Sequence, residues 1–541
     1  MKYTTIITII IVMVPLMLSA QVDSLGITTD KVEVVKRYEA AILQAKKKKI
    51  SFDIPENNRP PISYNYNVTT EKVIDFERPD PEIRALGYKG DPVSNQDLKD
   101  GYIYGAYGTH RTINAGAAFH YYIEDWLDAG LRVDHISASQ EGDLLDLAGE
   151  FPVDILSQTA ADLYFGYNLG TQSRLTLKGE SQFVRHNNPP LSFSILDWPI
   201  PINKYGADIG FEHNVFEDKS FVLRLDGKYD HAIHLRDTSW TDNIFGADLN
   251  VFKTFNDTWS FELPINYTNT KVKPIETSVS DLIVEPNVRF KGQNYTAKVG
   301  VQYITGDEAS YIFPLIDLSL PAIFAGIDLQ LYTESQYFRN SFYNISEINP
   351  YFFATTSDYS PNYMRSYNLD FNYDLSQFDF GLGVSYMQYE NTTNFIERGP
   401  RRGAAIYLNR DQFAIRPSIA YNFQEKVRFK LDGQYNIFLE DLLLTYLPKF
   451  VLQFTGEQLL FNDKLVLNQG LIFNSSRNIL SADMLFERDS FWDLSFKATY
   501  RISPSFEIFA RGTNLLGERY DVWHSQFVFE KQIWGGLKFR F

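Results

Sequence analysis

Along much of the chain, apolar and polar residues change places at every step. Between Ser220 and Asp230, Phe221, Leu223, Leu225, Gly227 and Tyr229 share one phase, while Val222, Arg224, Asp226, Lys228 and Asp230 share the other. Between Val427 and Ile437, Val427, Phe429, Leu431, Gly433, Tyr435 and Ile437 alternate with Arg428, Lys430, Asp432, Gln434 and Asn436. The period recurs at Trp259-Phe261-Leu263-Ile265-Tyr267, Tyr295-Ala297-Val299-Val301-Tyr303 and Phe378-Phe380-Leu382-Val384-Tyr386. Successive side chains of a strand point to opposite faces, so a period of two predicts strands with one apolar and one polar face.

A soluble β-sandwich alternates too, and three details favour a membrane barrel. The predicted strands run about 9–13 residues, which suits a tilted membrane-crossing strand better than an ordinary soluble one. Their apolar faces begin and end on rings, as at Phe221 and Tyr229, Trp259 and Tyr267, and Tyr295 and Tyr303. Eight residues at about 3.3 Å, tilted about 40°, set those rings roughly 20 Å apart, close to the apolar band between the aromatic girdles of outer-membrane barrels. The polar faces hold Arg, Lys, Asp and Gln, which a dry core would reject and a wet lumen accepts. Arg224, Asp226, Lys228, Arg428, Lys430, Asp432 and Gln434 are the lumen-lining candidates.

Short links at 168–171, 216–219, 254–258, 292–294, 375–377, 423–426 and 503–505 alternate with longer ones. The longer links are 138–156, 185–202, 232–242, 270–280, 336–363, 390–411, 476–492 and 515–530. Periplasmic turns and extracellular loops alternate in this way. The expected fold is all-β: a transmembrane antiparallel β-barrel over residues 101–541, with about 22 strands and an even number between 18 and 22. In the last strand Ile533, Gly535, Leu537, Phe539 and Phe541 share the apolar phase. Phe539 and Phe541 read as a C-terminal signal for barrel insertion machinery, with outer-membrane lipid as the surroundings.

Composition sharpens this picture. By length alone, 541 residues suggest three or four domains, whereas the barrel reading leaves one barrel and a short amino-terminal segment. Hydrophobic residues make up 44 % of the chain, yet the mean hydropathy is −0.25, so apolar surface is finely interleaved with polar. With no cysteine the chain has no disulfide, iron–sulfur cluster, thiolate zinc site or cysteine nucleophile. A formal charge of −16 argues against nucleic acid as a partner, which calls for a basic surface.

Residues 1–20 have the layout of a signal peptide: Lys2, an apolar core from Ile6 to Leu18, and Leu18-Ser19-Ala20. That core, interrupted by Pro15, is short for a membrane span, so cleavage after Ala20 and export to the cell outer membrane are expected. Residues 21–100 form a periplasmic or luminal segment, with Lys46 to Lys49 followed by Pro55, Pro60, Pro61, Pro79, Pro81 and Pro92.

The stretch from Tyr500 to Tyr520, with Gly512-Thr513-Asn514-Leu515-Leu516 inside it, resembles the penultimate hairpin of TonB-dependent receptors, and the strand ending at Phe541 resembles their closing strand. The resemblance implies a 22-stranded barrel for solute uptake or reception, and TonB or other outer-membrane and periplasmic proteins as partners. It breaks at the amino end, because residues 21–100 are too few for that family's full plug domain. A lumen of this size is ordinarily occupied, so residues 21–100 and the long loops are expected to fill or cover part of it. Val32-Glu33-Val34-Val35 is the one candidate for a TonB-contacting strand.

Chemistry is sparse. His231 and His234 stand three apart, which on a strand places them on opposite faces, against a metal site. No nucleophile elbow, phosphate loop, calcium loop or dinucleotide fingerprint is present, so neither enzymatic activity nor a cofactor is expected. The longest link carries Tyr337, Phe338, Phe342, Tyr343, Tyr351, Phe352 and Phe353, aromatics suited to stacking on a ligand or partner. Two roles remain open from the sequence: a receptor or uptake barrel of TonB-dependent type, and a plugless scaffold within an outer-membrane insertion or secretion assembly.

Overall fold

The computed structural model describes residues 101–541 apart from 124–125, 141–153, 187–199, 217–219, 235–240, 274–276, 308–309, 325, 342–343, 346–351, 354–360, 398–402, 424–425, 440–446, 482–483, 519, 524–525 and 528–530. The expected signal peptide, residues 21–100, the valine tetrapeptide, Phe342, Tyr343 and Tyr351 therefore lie outside the described residues.

Twenty-two strands form the wall. They are β1 (Gly101–Gly108), β2 (Ile113–Ile123), β3 (Leu127–Gln140), β4 (Asp154–Leu169), β5 (Ser173–His186), β6 (Ile200–Asn214) and β7 (Phe221–His234). Next come β8 (Thr241–Thr254), β9 (Trp259–Lys273), β10 (Thr277–Val284 continued by Asn287–Lys291), β11 (Thr296–Gly306), β12 (Ser310–Phe324) and β13 (Ile327–Arg339). The ring continues with β14 (Pro361–Leu375), β15 (Phe378–Glu397), β16 (Gly403–Phe423), β17 (Val427–Phe438) and β18 (Phe450–Leu460). It ends with β19 (Leu465–Asn474), β20 (Phe491–Ser503), β21 (Phe506–Thr513) and β22 (Gln532–Arg540). Each strand pairs antiparallel with the next. β22 returns to β1 from Tyr102↔Arg540 to Gly108↔Trp534, so the sheet closes on itself.

The apolar phase faces out. Leu163, Ile209, Leu225, Val299, Leu382 and Leu537 are all exposed, which in a closed barrel places them on the surface that meets lipid. Rings bracket this band. Near the short turns, Trp126 meets Tyr167 and Trp259 meets Phe290 at centroid distances of 5.7 and 4.6 Å. Nearer the long links, Phe183 meets Tyr205 at 5.7 Å and Tyr229 meets Phe245 at 4.8 Å.

Two features depart from the simple alternation. Proline in a sheet lacks a ladder donor, and β10 is broken in two at Glu285-Pro286. The longest interruption in pairing lies between β12 and β13, which are in register from Asp317↔Tyr332 downward but not from Ser310 to Ile316. There Thr333 Oγ1 accepts from Ile316 N and donates to Pro314 O, both at 2.8 Å. Beside this gap Ile304, Phe313 and Tyr363 form a nearly fully buried cluster.

The long links carry structure of their own. Phe352–Phe353 runs parallel beside Gly403–Ala404, and a hairpin of Arg477–Ser481 with Met484–Arg488 touches β15 at Glu397↔Ser481.

Candidate functional site

The inner wall is where the polar phase of the alternation collects. On β7, Arg224 pairs with Asp226 at 2.7 Å and Lys228 with Asp230 at 3.1 Å, each pair two residues apart and so on one face. Asp226 stands opposite Asp248, which accepts from Asn266. Room for Asp226 comes from Gly210, where a Cβ would lie 2.4 Å from its carboxylate. On β17, Lys430 pairs with Asp432 at 2.9 Å, Arg428 stands opposite Asn422, and Gln434 donates to Asn436 at 2.9 Å. β7 and β17 are ten strands apart in the ring, so the two ladders face one another across the lumen. Partly exposed pairs of this kind are worth about 0–1 kcal/mol, so they set the field of the lumen more than the stability of the wall.

Above the charged part of β17 the wall changes character. Cross-strand neighbours link Asn368 to Ser385, Ser385 to Ala414, and Ala414 to Asn436. The row continues from Gln434 to Val451 and from Val451 to Asn474. This strip spans β14 to β19 without a charged side chain among these positions, and apart from half-buried Gln434 its members are buried. Asn436 Oδ1 accepts from Gln412 Nε2 at 3.3 Å, and Asn368 Nδ2 donates to Ser366 Oγ at 2.9 Å. Both amide atoms of Asn474, Ser385 Oγ and Gln412 Oε1 have no hydrogen-bond partner among the described residues. A buried polar atom left so costs about 1–3 kcal/mol, and such atoms collect where a structure serves a ligand. Of this row, sequence reading singles out Gln434 alone. The other members sit in the same polar phase as the charged candidates, but neutral amides draw no notice one at a time.

The Gly512–Tyr520 segment is a folded turn at the long-link end of β21. Asn514 adopts φ +45° and Gly517 φ +70°. Gly517 N donates to Asn514 O at 2.9 Å, and Asn514 Nδ2 donates to Glu518 O at 2.8 Å. The turn is fastened to β20: Leu515 N donates to Leu494 O, Trp492 N to Glu518 Oε2, and Tyr520 Oη to Asp493 Oδ2. Burial pushes the Tyr520 phenol up, with the Asp493 carboxylate beside it adding to the rise.

The aromatic candidates of the longest link are distributed differently from the reading of 336–363 as loop. Tyr337 and Phe338 belong to β13, because the ladder with β14 persists to Arg339↔Pro361. Tyr337 donates to Asp281 at 2.6 Å inside the wall. Phe352 and Phe353 form the short strand beside Gly403–Ala404. His231 stacks between Tyr205 and Tyr229, with Nδ1 2.9 Å from Asn243 Oδ1. Among the described residues no three His, Asp or Glu side chains come together as a metal-binding group.

This architecture is that of a 22-stranded transmembrane β-barrel. No family model matches the sequence, and no curated protein matches it. Solved structures do. The FrpB iron transporter of Neisseria meningitidis (F3-3 variant) superposes with a TM-score of 0.65 at 10 % identity, over 82 % of each chain. A double mutant of the ferric enterobactin receptor PfeA from Pseudomonas aeruginosa gives 0.64 at 11 % identity, over 82 % of this chain and 80 % of that one. The siderophore receptor PirA from Acinetobacter baumannii gives 0.63 at 9 % identity, with the same two coverages. The covered part of this chain is about the share that residues 101–541 represent. The likeness to TonB-dependent receptors read from the hairpin and closing strand is thus a likeness of the whole barrel fold.

Proposed function

We propose that this chain is an outer-membrane receptor or uptake barrel that passes a neutral, hydrogen-bonding solute along its inner wall. The uncharged amide row from Asn368 to Asn474 carries this reading, because its unfilled donors and acceptors suit hydroxyl and amide groups and offer no counter-charge. The neighbours, an iron transporter and siderophore receptors, support reception and uptake, and none of those cited favours the scaffold role. On the same reading the long links face outside, and coupling to TonB would have Val32 to Val35 as its one candidate contact. Phe539 and Phe541, whose rings stack 6.2 Å apart at the closing edge, serve as the insertion signal.

The test is flux through the full chain in liposomes, comparing uncharged and charged solutes of equal size. Preferential passage of the uncharged set, lost in Gln412→Leu with Asn474→Leu, is expected. Equal passage of both sets in the two proteins would refute the reading.

A further inference from the structure

Between β12 and β13 two stretches of wall overlap instead of meeting edge to edge, as the phase of the side chains demonstrates. In β12, Tyr311, Phe313 and Leu315 are in phase with Asp317, which stands opposite Tyr332 of β13. Tyr332 donates at 3.0 Å to Asp370, itself paired with Arg416 at 3.3 Å, so this phase is the charged inner face. Tyr337 is out of phase with Tyr332, and β13 keeps unbroken register with β14 from Ile327 to Arg339. Tyr337, Tyr363 and Tyr367 therefore stand on the outer face. Yet Tyr311 packs on Tyr363 with centroids 4.4 Å apart, and Phe313 on Tyr367 at 5.6 Å. An inner face touches an outer face only where one sheet margin lies over the other.

Side chains hold this overlap where the ladder does not. Arg339 grips Asp281 with Nε and Nη2, both at 2.7 Å, and Tyr337 Oη adds a third bond at 2.6 Å. The Asp281 and Arg339 side chains are 5 % and 3 % exposed. Opposite Asp281 stands Gly306, where a Cβ would lie 2.2 Å from the carboxylate, so the latch needs a glycine there. Opening an intact antiparallel ladder breaks two backbone bonds at every second residue pair, whereas opening here separates one ion pair, a set of rings and the side-chain bonds of Thr333, Ser335 and Tyr337.

We propose that the overlap is a lateral gate, through which an amphipathic molecule moves sideways between the lumen and the lipid at the long-link half of the wall. Its rings suit the apolar part of such a molecule, and the parted Asp281 and Arg339 suit the polar part. The inference rests on the barrel crossing a membrane and not on the receptor reading, so lost solute flux with an intact gate response would count against that reading alone.

The chain has no cysteine, so Phe313→Cys reports on the gate alone. The full chain in liposomes is treated with pyrene maleimide dissolved in the lipid and, separately, with a water-soluble maleimide. Both reagents are expected to label Phe313→Cys, and Asp281→Asn should raise both rates at least about tenfold. Asp226→Asn, at the partly exposed pair, should leave them unchanged. Rates unmoved by Asp281→Asn, or moved as much by Asp226→Asn, would overturn the gate. Hydrogen exchange on the unaltered protein keeps the test independent of variant folding. Residues 310–316 should exchange at least about tenfold faster than 228–234 of β7, and equal exchange would also overturn it.

Discussion

Tyr520 Oη donates to Asp493 Oδ2 across 2.7 Å, while its ring lies stacked on Phe491 with centroids 3.9 Å apart. The same carboxylate receives the Asn514 N–H at 3.1 Å, so two elements of the 514–531 link converge on one acid of β20. Tyr520→Phe keeps the stack and removes the bond. A hydrogen bond to a charged group contributes about 1.5–3 kcal/mol, and here the loss falls on the link and not on the ring of strands. The variant is expected to fold, with the link several-fold more sensitive to limited proteolysis. Digestion at the unaltered rate would show that the tyrosine does not fasten it.

Asn514 separates backbone from side-chain effects. Its φ of +45° disfavours residues with a Cβ, and its side chain closes the turn on Glu518 O. Asn514→Gly should lose the bond but tolerate the backbone, and Asn514→Ala should lose both. Denaturant unfolding in a fixed detergent should place Ala about 1 kcal/mol below Gly. The reverse order would mean that the backbone conformation is not what selects asparagine.

That turn illustrates what the sequence discloses. Gly-x-Asn-Leu and the later Tyr are local, so their resemblance to a known hairpin is visible in one stretch, as is the period of two that yields the strands. The gap between β12 and β13 is not local. Ile304, Phe313 and Tyr363 are ordinary strand residues, and only long-range placement turns them into an overlap. Alternation lapses at the paired rings Tyr337-Phe338 and gives way to Arg339-Asn340-Ser341 and a second pair, Phe342-Tyr343, so the sequence hides where the strand stops and places Tyr337 in the link. Strand bounds also run further up than the alternation suggests, as at β15 and β16, because above the lipid the apolar phase has no reason to persist.

The two ladders should govern ion selectivity without governing stability. Arg224→Gln and Lys430→Gln each remove a positive charge from a pair that is partly exposed to water. Unfolding free energies should stay within about 0.5 kcal/mol of the parent. Reversal potentials under a potassium chloride gradient should shift toward cations, and Asp226→Asn and Asp432→Asn should shift them toward anions. An unmoved reversal potential in all four would remove these side chains from the conducting path.

Asn474 sets function against stability. Both its amide atoms are buried without a partner among the described residues, so replacing it by leucine, close in size, removes a desolvation penalty. Asn474→Leu should be as stable as the parent or up to about 1–2 kcal/mol more stable, and slower in passing neutral solutes. A destabilised variant would indicate that the amide is satisfied in the folded protein.

Closure of the ring offers a paired test at two glycines three residues apart on β1. At Gly108 a Cβ would lie 2.2 Å from Ile533 O and 2.3 Å from Trp534 Cβ, both belonging to β22 across the seam. At Gly105 a Cβ would meet nothing within 4 Å. Neither position has a positive φ, so the difference between them is one of space alone. Gly108→Ala must push β22 away at Gly108↔Trp534, the end of the seventh and last register pair that closes the barrel. A seam of seven pairs has few bonds to spare, so the folded fraction recovered in detergent should fall several-fold. Gly105→Ala should fold like the parent and gain slightly from the lost freedom of the unfolded chain, by about 0.4–1 kcal/mol. Equal recovery of the two variants would mean that the seam bends to admit a methyl group, and that backbone contact at Gly108 is not what closes the ring.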